Sequence, residues 1–357
     1  MSEGKKAHGK ARLGLVGAGW WATFNHIPTV QKSQAADLVA ICDLDEARLA
    51  EVGESFGIAG RYTDLSAMLR QENLDGVIVS TPHVAHRVPA VMALEAGCHV
   101  LVEKPMATTA DDGWAIADAA RKAGKQVLVP TGMNFEWFSM NAAQWVRDGR
   151  IGEVRHAACQ MGSALSDLFA GEPMMETTDH MYRPPASTWA DPKRAGGYGW
   201  GQLSHVLAWL FHVSGLRAQS TYCMVGRSPT GVDFYDAATA RATNGATIAI
   251  SGASTVPKHV GMHMDIKIYG SEGMIAFNNA DATLALYRDD KADEVVPLTA
   301  DDGEYDGALP VEIFAKLCAG EDVENASNGD NGARVTELLH ALYRSAETDS
   351  LISIGTP

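Results

Sequence analysis

Cysteine is scarce in this chain, and the five that occur (Cys42, Cys98, Cys159, Cys223, Cys318) never fall close together. That scatter excludes a disulfide framework and a cysteine-built metal site, and it fits reduced, buried thiols. Basic residues are also in deficit: 29 Lys and Arg face 44 Asp and Glu, for a net charge of −15. Binding a phosphate backbone needs clustered cations, so a nucleic-acid partner is not expected. Long apolar runs are missing, and none approaches the roughly 20 residues of a membrane helix. The opening MSEGKKAHGK is polar and basic with no apolar segment behind it, so residues 1–10 read as a flexible tail rather than a signal peptide, ahead of a cytoplasmic enzyme. What remains is 357 residues, 46% hydrophobic and 20% charged, enough for two soluble domains.

The first half alternates short apolar runs with helical stretches. Strands are expected over 12–17, 38–42, 75–79, 98–102 and 126–130, and helices over 45–56, 64–71, 84–96 and 108–124, the last capped by Thr108 or Thr109. Alternation at this spacing predicts a doubly wound parallel sheet covered on both faces, that is, an α/β Rossmann domain over 11–131. The first strand runs into Gly17-Ala18-Gly19-Trp20-Trp21-Ala22, a G-x-G-x-x-A turn opening a helix. In such a turn the first glycine permits the bend and the second lets the backbone approach a pyrophosphate. The small last residue lets helix and strand pack closely. Helix N-terminal amides then face the anion. Asp43, at the end of the second strand, is placed to accept ribose hydroxyls and to repel a 2′-phosphate. The pattern points to NAD, while Arg48 nearby leaves NADP open.

The second half, 132–357, has another character. Helices are expected over 139–149, 200–214, 308–319 and 331–347, and a long strand over 153–165. An irregular stretch rich in Pro, Met and Thr fills 166–195. Strands follow over 219–227, 234–243, 246–254, 263–269, 273–277 and 283–288, with Asn244-Gly245 as a hairpin turn. This predicts an α+β domain with a large, mostly antiparallel sheet and helices on one face. The open face would be covered by the first domain or by a second subunit.

The apolar run 98–102 ends abruptly in Glu103-Lys104-Pro105. In an open parallel sheet, ligands sit beyond the carboxyl ends of the strands. Lys104 therefore points at a reacting centre, and the proline locks the turn that aims it.

At this point the chain resembles the Gfo/Idh/MocA oxidoreductases. The resemblance rests on GAGWWA (17–22), STPHVAH (80–86), ALEAGCHVLVEKP (93–105), IGEV (151–154), AGGYGWGQLSH (195–205) and YGSEGMI (269–275). It implies hydride exchange between a nicotinamide cofactor and a sugar, inositol or related polyol, in a homodimer or homotetramer joined through the C-terminal sheet. It places the catalytic pair on Lys104 and His205. Cofactor contacts fall on Gly17, Gly19, Trp20, Trp21, Asp43, Thr81, His83, His86, Glu103 and Lys104, and a substrate contact on Asn134. Three departures stand out. Gly201 occupies the place of the family's aspartate four residues before the histidine, Glu136 that of an arginine, and His83 that of an asparagine.

Chemically, oxidising a secondary alcohol needs a base near neutral pH, which a histidine supplies, and a cation beside the developing alkoxide, which an ammonium supplies. Without a carboxylate at position 201, either Glu176 and Asp179 of the preceding loop replace it, or Lys104 takes the larger share of the proton transfer. The loop 180–201 is expected to roof the pocket, with Tyr182, Trp189, Tyr198 and Trp200 stacking on a sugar ring, and Gln202 beside them. The leading reading is an NAD-dependent sugar or polyol dehydrogenase. Two alternatives are a glycosidase or lyase that recycles its NAD, and a non-catalytic NAD-binding regulator.

Overall fold

The computed structural model describes residues 9–299 and 301–355. Most of the expected N-terminal tail, residues 1–8, lies outside the described residues.

Six parallel strands form the first sheet: β1 (Ala11–Val16), β2 (Ala36–Cys42), β3 (Gly60–Tyr62), β4 (Gly76–Val79), β5 (His99–Val102) and β6 (Val127–Leu128). Their order is β3-β2-β1-β4-β5-β6. The connection changes direction between β1 and β4, which opens a crevice at their carboxyl ends. Val77, Ile78, Val79, Val100, Leu101 and Val102 are all fully buried. Continuous burial is what a parallel sheet with helices on both faces demands. Helix starts are set by side-chain caps: Asp45 accepts from the Arg48 amide, Asp64 from Ser66, and Thr109 from Asp112. Strand β3 escapes the sequence reading because Gly-Arg-Tyr is short and only half-buried, with no apolar pattern to mark it.

The second sheet has nine strands: β7 (Val154–Gly162), β8 (Ala218–Arg227), β9 (Asp233–Ala242), β10 (Thr247–Ala253), β11 (His263–Gly270), β12 (Gly273–Asn278), β13 (Thr283–Arg288), β14 (Glu294–Pro297) and β15 (Ile352–Ser353). Their order is β14-β13-β12-β11-β7-β10-β9-β8-β15, antiparallel throughout except for the parallel β7–β10 pair. Asn244-Gly245 turns the β9–β10 hairpin as expected, with Ala242 donating to Ala246. Strands β14 and β15, four and two residues long, carried too little pattern to be foreseen.

Helix Ser204–Ser214 lies against β7 and β11 and is buried on nearly every side. Its all-round hydrophobicity is that of a central core helix. The opposite face of the sheet is open and carries a shallow groove of about 360 Å³ floored by Ala158, Ala237, Ala249 and Ser251. Helix Leu309–Cys318 turns back to the first sheet, where Val311 and Phe314 are fully buried. Helix Gly329–Thr348 packs on both helix Ala110–Ala123 and β8, so the chain's last helices clamp the two halves together.

Candidate active site

A cavity of about 690 Å³ opens between the two sheets at the carboxyl ends of β1, β4 and β5. Its floor is the glycine turn. Gly17 adopts φ +91°, and a Cβ there would sit 2.6 Å from the Ser80 carbonyl oxygen, so only glycine fits. A Cβ on Gly19 would meet nothing within 4 Å. The backbone at Gly19 is therefore open to a close-lying group. The following helix begins with a wide π turn, Ala22–His26, before it tightens over Ile27–Lys32. Asp43 accepts from the Ala18 amide at 2.9 Å through Oδ2 and from the Asp45 amide at 3.0 Å through Oδ1. Arg48 stands 3.4 Å from the same carboxylate. Thr81 Oγ1 is buried in this wall without a protein partner. The residues present thus fit a dinucleotide: a glycine cradle, an acid at the ribose position and an orphaned hydroxyl.

Beyond the cradle lies Glu103-Lys104-Pro105, whose Lys104–Pro105 bond is cis. Glu103 is buried, with Oε1 3.0 Å from His26 Nε2 and Oε2 accepting the Lys104 amide at 3.0 Å. Burial pushes its acid up, but His26 and Lys104 outweigh that and hold it below the usual carboxylate range. Lys104 Nζ donates to the Gly201 carbonyl at 2.7 Å and lies 5.3 Å from the centre of the Trp189 ring. Burial draws the ammonium down to about 8, against the opposing pull of Glu103. His205 lies one helical turn beyond Gly201, packed edge-on against Tyr305 at 5.3 Å. Burial, and then the Lys104 charge, pull it well below the ordinary histidine range, so the ring is neutral near pH 7.

The place of the absent carboxylate is filled by aromatics. A Cβ at Gly201 would lie 3.0 Å from Phe169 and 3.1 Å from Trp189. Neither loop acid replaces it: Glu176 is exposed and paired with Lys258, and Asp179 is exposed. Among the described residues, the cavity lining holds the carboxylates of Asp43 and Glu103 alone.

The Gly199–Leu203 turn, again of π type, is held from behind. Asp233 accepts from the Gly199 amide at 2.6 Å and from the Tyr343 hydroxyl at 2.6 Å, and Trp200 stacks flat on Tyr343. Gly197 has φ +114°, and a Cβ there would come within 2.1 Å of Asp233 Oδ1. Gly197→Ala is therefore expected to cost about 2–3 kcal/mol. Denaturant midpoints of the two proteins measure it, and an unchanged midpoint would dismiss the strain.

Most of the expected site residues converge here. Gly17, Gly19, Trp20, Trp21, Asp43, Thr81, His83, His86, Glu103, Lys104, Tyr182, Trp189, Gln202 and His205 all line the cavity. Two of the histidines have their ring nitrogens engaged. His83 Nδ1 meets the Ala195 carbonyl at 2.9 Å. His86 lies 2.8 Å from both the Thr81 and the Pro105 carbonyl oxygens and donates its ring N–H to one of them. Trp20 Nε1 donates to His180 Nδ1 and Tyr182 donates to Glu51, so the 166–195 segment is tied across the crevice onto the first domain.

Three expectations are corrected. Asn134 is fully buried away from the cavity; its Nδ2 bonds the Ala208 and Ala326 carbonyls and stitches helix Ser204–Ser214 to the chain before helix Gly329–Thr348. Tyr198 is also fully buried, its hydroxyl donating to the Met161 carbonyl, because the turn it sits on faces β7 rather than the roof. Trp200 likewise packs inward, and Glu136 stays outside the lining. The sequence reading missed Tyr305, on an irregular acidic loop with no motif to flag it. It also missed His26, whose one signal is a histidine four residues past the glycine turn.

Residues 11–131 match the family described as "Oxidoreductase family, NAD-binding Rossmann fold", and residues 140–276 match the GFO/IDH/MocA C-terminal domain. The chain belongs to the GFO/IDH/MocA oxidoreductase family. It is 32% identical over 196 residues to a 1-carboxy-3-chloro-3,4-dihydroxycyclohexa-1,5-diene dehydrogenase of Comamonas testosteroni, covering 55% of this chain and 45% of the relative. It is 35% identical over 163 residues to a D-apiose dehydrogenase of Paraburkholderia graminis, covering 45% and 42%. The chain thus spans about half the length of the curated relatives it matches. Among solved structures, the WlbA dehydrogenase of Bordetella pertussis, crystallised with NADH and UDP-GlcNAcA, superposes with a TM-score of 0.72 at 26% identity, covering 98% of this chain and 100% of that one.

Proposed function

We propose that this chain is an NAD-dependent dehydrogenase of a secondary alcohol on a sugar, polyol or related ring. The observation that carries the reading is the meeting of Lys104, from the end of β5, with the helix turn bearing His205, at the mouth of a glycine cradle. The relatives' names, an apiose and a dihydroxylated cyclohexadiene dehydrogenase, agree on alcohols as substrates. Gly17, Gly19, Asp43 and Thr81 would hold the cofactor, with Trp20 and Trp21 flanking it. Bound there, NAD supplies a hydride acceptor for the carbinol carbon. Neutral His205 takes the hydroxyl proton at a ring nitrogen. Lys104 Nζ, anchored on the Gly201 carbonyl, turns its remaining N–H bonds to the alkoxide oxygen. Glu103 and His26 hold the base of the Lys104 turn. Trp189 and the tied 166–195 segment form one wall of the cavity. Cys42, Cys98, Cys159 and Cys223 are free and buried, which supports a cytoplasmic site. The small-residue floor of the open sheet face supports a homo-oligomer joined there, with size-exclusion chromatography as its check.

The test is purified protein with NAD, or NADP in parallel, and a panel of sugars, inositols and glycosides. Growth of the reduced-nicotinamide absorbance with one of them is the expected result. A silent band accompanied by a cleaved glycoside would replace the reading with internal hydride recycling. Bound NAD with neither change would leave a binding protein.

A further inference from the structure

Resting on the dehydrogenase reading, we propose that the alcohol is borne on a ring carrying a bulky, uncharged apolar arm, rather than on a free sugar or polyol. The ring is that of a glycoside or of a cyclic diol; the arm is the shared chemistry. Beyond Lys104, the second half of the cavity is walled by Met161, Met174, Met262, Met264, Leu165 and Leu168. Met161 on β7 and Met264 on β11 are registered partners across the sheet, so the wall is built on paired strands. Asn279 fixes its edge: Oδ1 accepts the Met264 amide at 2.5 Å, and Nδ2 donates to the carbonyls of Met262 and, at 3.0 Å, of Gly303. Met262 and Leu165 are half-buried and present themselves to an incoming group; Met161 and Met264 back them. Thioether and leucine side chains offer a polyol no partner, and a hydroxyl pressed against them loses its water without replacement. Methionine instead adapts its shape to an apolar guest.

The polar supply is correspondingly thin. Lys104 and His205 serve the reacting hydroxyl. Gln202 lends its carbonyl oxygen to Ser163, which leaves its amide hydrogens. Tyr305 and Thr188 each add a hydroxyl, the Ser163 hydroxyl is already engaged with Gln202, and Arg183 lines the cavity from its exposed position. A carboxylate, the acceptor able to take two vicinal hydroxyls at once, is contributed to the described lining by neither the second sheet nor its helices. This set serves a few hydroxyls, mostly as donors, whereas a free inositol presents one on every ring carbon.

The test is calorimetric titration of the NAD-loaded protein, with turnover measured alongside. One series compares methyl, hexyl and phenyl β-D-glucopyranoside; the other compares an unsubstituted cyclohexadiene cis-diol with its phenyl-substituted counterpart. An arm-bearing member is expected to bind about tenfold or more tightly than its bare counterpart in one series, and that series identifies the ring. Met262→Gln is expected to shrink the advantage at least about threefold, and Leu165→Gln serves as a second variant should the first fail to fold. Equal binding of bare and arm-bearing members overturns the proposal, as does an advantage that survives in both variants. Reduction of NAD by free sugars alone overturns it while leaving the dehydrogenase intact. No binding and no reduction anywhere overturns the dehydrogenase reading and this proposal with it.

Discussion

Lys104→Met is expected to lower kcat/KM for the preferred alcohol by about three orders of magnitude or more, while changing the NAD dissociation constant by less than about threefold. The asymmetry follows from geometry. Lys104 reaches forward across the cavity to the Gly201 carbonyl, whereas the cofactor cradle is built from Gly17, Gly19, Asp43 and Thr81. Methionine has nearly the same length and keeps the packing against Trp189, so little folding energy is at stake. What would disappear is the ammonium proposed to face the developing alkoxide. Steady-state kinetics and fluorescence titration with NAD separate the two quantities. Loss of NAD binding together with turnover would move Lys104 from the reacting centre to the cradle.

His205→Asn should lower kcat by about 10²- to 10⁴-fold with NAD binding retained. Asparagine fills much of the same space and still hydrogen-bonds, but it cannot take a proton. His205 needs no carboxylate to be useful here: burial and the Lys104 charge keep it neutral, the form that accepts a proton. In place of an aspartate, the edge of Tyr305 packs against the ring. A near-normal kcat in His205→Asn would transfer the base to Lys104, whose side chain has the Gly201 carbonyl as its hydrogen-bond partner.

Much of this was legible in the chain. Periodicity and turn chemistry placed the longer strands of both sheets, and the G-x-G-x-x-A turn and Asp43 were legible as residues that line the cavity, because backbone geometry dictates glycine at the turn whatever else surrounds it. Strands β3, β14 and β15 were not legible: they are two to four residues long and are held by neighbours rather than by their own composition. The roof was legible only in part. Tyr182 and Trp189 reach the cavity, but Tyr198 and Trp200, a few residues on, point inward, and nothing local distinguishes the two pairs. Their direction is decided by the turn at Gly197–Gly201, which Asp233 and Tyr343 hold from more than thirty residues away in sequence. Asn134 reads as a substrate ligand by position and proves to be a backbone clasp. The Lys104–Gly201 bond joins residues 97 apart, a distance no motif spans.

The most direct measurement is the pH dependence of kcat/KM for alcohol oxidation. In the proposed division of labour Lys104 assists as the ammonium, and burial has drawn it down to about 8. His205 assists as the neutral ring, and burial has moved its protonation well below the ordinary range. Raising the pH through about 8 therefore removes the charged partner without adding a base. The account predicts a level profile through neutrality that falls as the pH passes about 8. A profile that climbs through that pH would mean that the Lys104 amine is the base, and it would contradict the division of labour proposed for Lys104 and His205.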